Sequence, residues 1–107
     1  MRRARILYKD EEAGTLTQHD DGTFAFSYHD SWLENNSKPA ISLTLPKQQK
    51  AYQSAYLFAF FYNMLPEGAN KQILCSSKRI DKKDDFGLLL ASAGIDTIGA
   101  VKVIKMN

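Results

Sequence analysis

The sequence predicts an α+β domain: a small antiparallel sheet of about five strands with two or three helices packed on one face. Three observations carry this expectation. Strand-like alternation, clearest in Thr23-Phe24-Ala25-Phe26-Ser27-Tyr28, is concentrated in the first half of the chain. Short polar breaks containing Asp and Gly separate the segments there. Helical spacing belongs to the second half, where Leu57, Phe61, Met64 and Leu65 recur at i, i+4, i+7 and i+8.

In chain order, Arg3 to Lys9 suits a first strand through Ile6 and Tyr8. Asp10-Glu11-Glu12-Ala13-Gly14 is expected to be a hairpin turn, and the β-branched Thr15-Leu16-Thr17-Gln18 the return strand. His19-Asp20-Asp21-Gly22 forms a second turn, because Asp and Gly tolerate the unusual backbone angles. The third strand then places Phe24, Phe26 and Tyr28 on one buried face, completing a meander. A helical turn capped by Asp30 or Ser31 fits around Trp32 and Leu33, with Trp32 packed under a loop. Ile41-Ser42-Leu43-Thr44-Leu45, punctuated by Pro39 and Pro46, alternates as a further strand. Lys47 to Ala51 is a polar connection without a period.

The first long helix is expected from about Ser54 to Leu65. Pro66 ends it, since proline lacks a backbone donor and disfavours helical angles at the residue before it. After the Leu65-Pro66-Glu67-Gly68 turn, a second helix runs from about Glu67 to Lys78 with a narrow apolar stripe of Ala69, Ile73 and Leu74. Asp81-Lys82-Lys83-Asp84 leads into a third, capped by Asp84 or Asp81, whose core face is Phe86, Leu89, Leu90 and Ala93. Gly94 with Ile95 fits a left-handed C-terminal cap. Ile98 to Ile104 closes the chain as a strand, with Gly99, Val101 and Val103 alternating against Ala100, Lys102 and Ile104.

A chain of 107 residues suits one domain with one modest core, residues 1–107 together. Apolar residues at 44% and charged residues at 24% are ordinary for a water-soluble globule. A net charge of +2, with lysines and arginines scattered among carboxylates, argues against direct nucleic-acid binding. Cys75 is the single cysteine, so no internal disulfide can form and a reducing compartment suits the chain. The first residues lack the apolar stretch of a secretory signal, and no run is long enough to span a membrane; the cytoplasm is the expected location.

The search for reaction chemistry is mostly negative. His19 and His29 lie ten positions apart in turn-like segments and Cys75 stands alone, so no metal site is expected. Cys75 lies beside Ser76 and Ser77 without a neighbouring histidine, which suits an inert thiol. The glycines are isolated and form no phosphate-binding loop. Asp20-Asp21 and Asp84-Asp85 read as turn and cap residues, and the phenylalanines as core. These residues suggest a non-enzymatic domain without a cofactor, made for contact with another protein.

A set of motifs adds to that reading: Phe26-Ser27-Tyr28, Ser31-Trp32-Leu33, Pro39 to Pro46, Phe60-Phe61-Tyr62-Asn63-Met64-Leu65-Pro66-Glu67-Gly68, Asp85-Phe86-Gly87-Leu88-Leu89 and Ile98-Gly99-Ala100-Val101. In this order and spacing they resemble the N-terminal subdomain of the HipA-type serine/threonine kinase toxins, over nearly the whole chain. A HipA-like kinase would continue after Gly99-Ala100-Val101 into its catalytic part, so no residue for ATP, magnesium or phosphoryl transfer carries over. A free-standing copy resembles the HipS-like small proteins of split HipBST toxin–antitoxin systems. The resemblance implies an antitoxin that binds a HipT-like kinase in trans and restrains it, with a HipB-like DNA-binding protein as third member.

Two alternatives stay open: a non-inhibitory subunit that completes the kinase or bridges it to the HipB-like repressor, and a piece of a full-length kinase. The expected contact is the Leu65-Pro66-Glu67-Gly68 turn with the helix before it, naming Phe61, Leu65, Pro66, Glu67, Gly68 and Ala69. A competing arrangement keeps Phe61 and Leu65 interior and exposes only the turn. Trp32 is a second candidate.

Overall fold

The computed structural model describes residues 1–93 and 100–106. The chain begins with three antiparallel strands, β1 (Arg2–Tyr8), β2 (Glu11–Gln18) and β3 (Phe24–Tyr28). The meander is as expected, but the first turn is shorter. Lys9 and Asp10 both take left-handed backbone angles (φ 49° and 67°) and form a two-residue hairpin loop, so Glu11 to Gly14 is strand and not turn. The surplus residue is absorbed as a bulge: Ile6 pairs with Gly14 and Leu7 with Glu12, leaving Ala13 between them. The Ala13 carbonyl accepts a hydrogen bond from the His29 amide (2.9 Å). Gly14 must be glycine here, because a Cβ would lie 2.4 Å from the Ser27 carbonyl oxygen and 2.9 Å from the Phe26 ring.

Two further strands complete the sheet: β4 (Ala51–Ser54) and β5 (Val101–Lys105), in the order β4-β3-β2-β1-β5. Every neighbouring pair is antiparallel. The register stacks Ala4, Leu16, Phe26 and Tyr52 across one face and sets Ile6 beside Gly14, Tyr28 and Val103. That face is buried, while Arg3, Arg5, Ala51 and Gln53 on the other face are exposed. The expectations at Gly94-Ile95 and at Ile98-Gly99 lie outside the described residues.

Among the described residues, four helices accompany the sheet: α1 (Asp30–Glu34), α2 (Ala59–Tyr62), α3 (Gly68–Lys78) and α4 (Asp85–Ala93). Their buried side chains join those of the sheet in one apolar cluster that includes Phe26, Trp32, Phe61, Phe86 and Leu89. The cap of α1 is His29, in extended conformation and without a side-chain bond, rather than Asp30 or Ser31. Asp84 caps α4 as expected, its carboxylate accepting from the Gly87 amide (3.1 Å). The same carboxylate receives two hydrogen bonds from Arg2 (2.6 and 3.1 Å), whose guanidinium lies 5.1 Å above the Phe86 ring. Phe86 in turn stacks on Phe24 (6.5 Å), so the acid, the cation and two rings fasten α4 to β1 and β3.

Two expectations in the middle of the chain fail. The stretch from Ile41 to Leu45 is a loop, not a strand. The buried hydroxyl of Tyr28 donates to the Leu45 carbonyl and accepts from the Ile41 amide (3.1 Å), which closes the loop upon itself. Ile41 and Leu45 therefore go inward as two legs, and Leu43 at the apex is 99% exposed. The place beside β3 is taken by Ala51–Ser54, which lies between the expected polar connection (Lys47 to Ala51) and the expected helix from Ser54. The helix expected from Ser54 to Leu65 shrinks to the four residues of α2, because Phe58 keeps an extended ψ of 140° at its N-terminus. Beyond Tyr62 the chain tightens into i→i+3 bonds, Met64 amide to Phe61 carbonyl and Leu65 amide to Tyr62 carbonyl.

Two measurements check these contacts. Burial pushes the Tyr28 phenol up and keeps it protonated. Tyr28→Phe removes the shared hydroxyl and orphans two buried backbone groups, so urea titration should show a loss of about 1–3 kcal/mol. The Arg2 hydrogen bond, with the Gly87 amide and the Arg2 charge adding to it, holds the Asp84 carboxyl below its usual range. A depressed acid contributes stability that is present above about pH 4 and lost as pH falls through the depressed value. Melting curves taken from pH 6 to pH 2 should therefore show a smaller acid-side loss for Asp84→Asn than for the wild type.

Candidate functional site

The turn after α2 begins at a fixed point. Phe61 is fully buried, 6.0 Å from Phe26 and 5.1 Å from Phe60 between ring centres, and it anchors the backbone that leads to Pro66. Pro66 ends the helical path, and Glu67 is extended (φ −125°, ψ 158°) at the N-terminus of α3. Gly68 follows with φ +57°, a left-handed angle that favours glycine, and nothing lies within 4 Å of where its Cβ would be. Glycine is needed there for the backbone angle and not for space.

The expected contact residues separate into two groups. Glu67, Gly68 and Ala69 are exposed, and Leu65 and Pro66 are half-buried beside them. Phe61 and Trp32 have no comparable surface. Trp32 is 4% exposed, its ring nitrogen donates to the Pro39 carbonyl (2.9 Å), and its ring meets Tyr8 edge-on at 5.7 Å. Phe61 serves the surface from beneath, by fixing the turn, and Trp32 packs under the loop from Asn35 to Pro39 as its sequence setting suggested.

One neighbour of the turn was not anticipated as surface. Ile73 was placed on the inward stripe of α3, yet it is 65% exposed, as Ala69 is also exposed; only Leu74 of that stripe is buried. Leu74 is buried toward α4, and Ile73, about 100° around the helix from it, lies at the rim of that contact. Between α3 and α4 lies an open groove of about 400 Å³ bounded by Pro66, Asn70, Ile73, Leu74, Ser77 and Ser92, with Lys78 at one end. The turn and the groove share Pro66, so they form one continuous surface. Tyr56, before α2, and Tyr62, its last residue, are also exposed.

The acidic pairs have structural partners. Asp21 accepts from the Thr23 amide and hydroxyl (2.9 and 2.7 Å), and these bonds hold its carboxyl below the usual range. Asp84 is held by Arg2 as described above. Cys75 is a half-buried free thiol on α3. Among the described residues no three metal-binding side chains converge, and no helix is long and apolar enough to cross a membrane. The surface around Pro66 combines half-buried apolar side chains, the Glu67 carboxylate and an adjoining groove.

Comparison with known proteins bears on the family of this fold. The model of the HipA N-terminal domain family matches residues 4–104. A solved structure described as the N-terminal domain of HipA toxin superposes with a TM-score of 0.73 and 28% identity, covering 100% of this chain and 94% of that one. Among curated proteins, the chain is 28% identical over 91 residues to "Putative kinase Y4mE" of Sinorhizobium fredii, covering 85% of this chain and 21% of that protein. It is 31% identical over 103 residues to an uncharacterized protein of Haemophilus influenzae, covering 96% of this chain and 92% of the relative. The chain therefore spans about a fifth of the length of the kinase-named relative and nearly all of the other. With the motif order, the five-stranded sheet and the family match in agreement, the chain belongs to the HipA N-terminal domain family.

Proposed function

We propose that this chain binds a HipA-type serine/threonine kinase (HipT-like) in trans and restrains it, acting as an antitoxin. The observation that carries this reading is the contrast between the relatives. The same domain makes up a fifth of a kinase-named protein and nearly the whole of a Haemophilus influenzae protein of similar length. A domain that one protein holds in cis can serve another as a separable ligand.

The physics sets requirements on such a ligand. In cis, a linker keeps a domain at an effective concentration of the order of millimolar. In trans that advantage is gone, so the contact surface must supply the affinity, and pre-organisation lowers what binding costs. The Leu65–Ala69 surface has that character: it is rigidly tied to the core through Phe61 and presents apolar and acidic groups together. Inhibition further requires that the chain bind an inactive arrangement of the kinase more tightly than the active one, since a ligand shifts an equilibrium only by its differential affinity.

A phosphoryl-transfer assay of the cognate truncated kinase, with this chain in excess, tests the reading. The expected result is loss of transfer together with a stable complex on a sizing column. A stable complex with undiminished activity would discard inhibition and leave a structural subunit, completing the kinase or bridging it to a HipB-like repressor. Absence of any complex would overturn the reading. In the same titration, Glu67→Ala and Gly68→Asn should each weaken binding by about tenfold with melting temperature retained, because both positions are exposed and asparagine tolerates the left-handed angle.

A further inference from the structure

The start of β1 and the end of β5 meet at one corner of the sheet. Ala4 lies opposite Lys105, and the Met106 amide donates to the Arg3 carbonyl (3.0 Å). Helix α4 packs beside β5 and brings Leu90 to the same corner. Between these elements lies an open groove of about 370 Å³, lined by Met1, Arg2, Arg3, Leu90, Lys105 and Met106. It shares no lining residue with the groove beside Pro66.

The lining combines apolar side chains with cations and contains no carboxylate. Methionine adapts its shape to a neighbour, and Met1 is 61% exposed. Arg2 is already bound to Asp84 and Gln18. Arg3 has a weak acceptor, the Met1 sulfur (3.3 Å), and neither Arg3 nor Lys105 forms an ion pair among the described residues. Such a groove suits a peptide that brings an apolar side chain together with carboxylate or carbonyl oxygens.

The path of the chain indicates which peptide. The family match ends at Ile104, within β5, and Met106 just beyond it is itself a wall of the groove. In a protein that carries this domain at its N-terminus, the rest of the polypeptide leaves from this point. Consecutive Cα atoms are about 3.8 Å apart, so the next residues begin inside or beside the groove. We propose that the groove formed by Arg3, Leu90, Lys105 and Met106 receives the first residues of the kinase partner, which in trans take the place that the continuing chain has in cis. The inference rests on the kinase-binding reading above and adds a second contact, separate from the Pro66 turn.

Isothermal titration in a two-by-two design tests the inference. The wild-type chain and the pair Arg3→Glu/Lys105→Glu are each titrated into the cognate truncated kinase and into the same kinase without its first residues, about eight, a reach of roughly 26 Å when extended. Both substituted side chains are exposed, so the melting temperature should be retained. Charge reversal should weaken binding to the intact kinase by at least about tenfold, and removal of the opening residues should weaken wild-type binding by a similar factor. Charge reversal should then have little further effect on the shortened kinase, because both changes remove the same contact. Glu67→Ala at the turn should weaken binding to both kinases alike.

Equal wild-type affinity for the two kinases would overturn the inference, and so would losses that multiply when both changes are combined; if Glu67→Ala still weakened binding, the kinase reading would stand without it. No complex of the wild-type chain with the intact kinase would overturn both. A photo-reactive residue in place of Lys105 gives a readout that needs no shortened kinase. Its crosslink should map to the kinase's first residues, and a crosslink to any other part of the kinase would overturn the inference. Sedimentation showing a wild-type dimer that the charge reversal dissolves, with kinase affinity unchanged, would make a second copy the occupant and also overturn it.

Discussion

The contact between Phe26 and Phe61 is the point on which the fold depends. Phe26 lies mid-strand in β3, edge-on to Tyr28 at 4.9 Å, and Phe61 descends on it from α2. A helix of four residues has no stability of its own, since nucleation costs more than one turn returns. Burying a phenylalanine is worth about 1.5–3 kcal/mol and an aromatic pair about 0.5–1.5 kcal/mol beyond that. The position of α2 therefore follows from its ring and not from its backbone. Gly14 makes the arrangement possible from the neighbouring strand, since any side chain there would meet Phe26 and the Ser27 carbonyl.

The same contact fixes where the turn after α2 begins. The backbone that leaves the buried Phe61 reaches the half-buried and exposed Leu65–Ala69 segment within a few residues. The loop at the other end of the buried face is fixed in a similar manner. Tyr28 ties Ile41 to Leu45, Lys47 bonds the carbonyls of Asn35 and Lys38, and Trp32 bonds that of Pro39. Surfaces held in this way lose little conformational entropy on binding.

The contact residues named from sequence divide according to a physical rule. Phe61 and Trp32 are large and apolar, and such side chains go to the interior of a small domain wherever the backbone allows it. Glu67, Gly68 and Ala69 stay outside because charge, a left-handed backbone and a small side chain offer the core little. Ile73 breaks the rule. It reads as core by type, yet the inward direction of α3 is already taken by Leu74.

The α+β class, the three-stranded meander, the extent of α3 to within a residue, the Asp84 cap of α4 and the family were all legible in the sequence. All of these rest on local signals: turn residues, period-two alternation, proline and capping chemistry, and a fixed order of motifs. Which segment lies beside β3, how short α2 is, and which side chains of α3 remain uncovered depend on packing between distant parts of the chain. Ile41 to Leu45 alternates more cleanly than Ala51 to Ser54, but Tyr28 captures its backbone from 13 to 17 residues away, and the edge of the sheet goes to the weaker pattern. Competition for a hydrogen-bonding partner or a place in the core is settled between residues distant in sequence, and local periodicity contains no record of it.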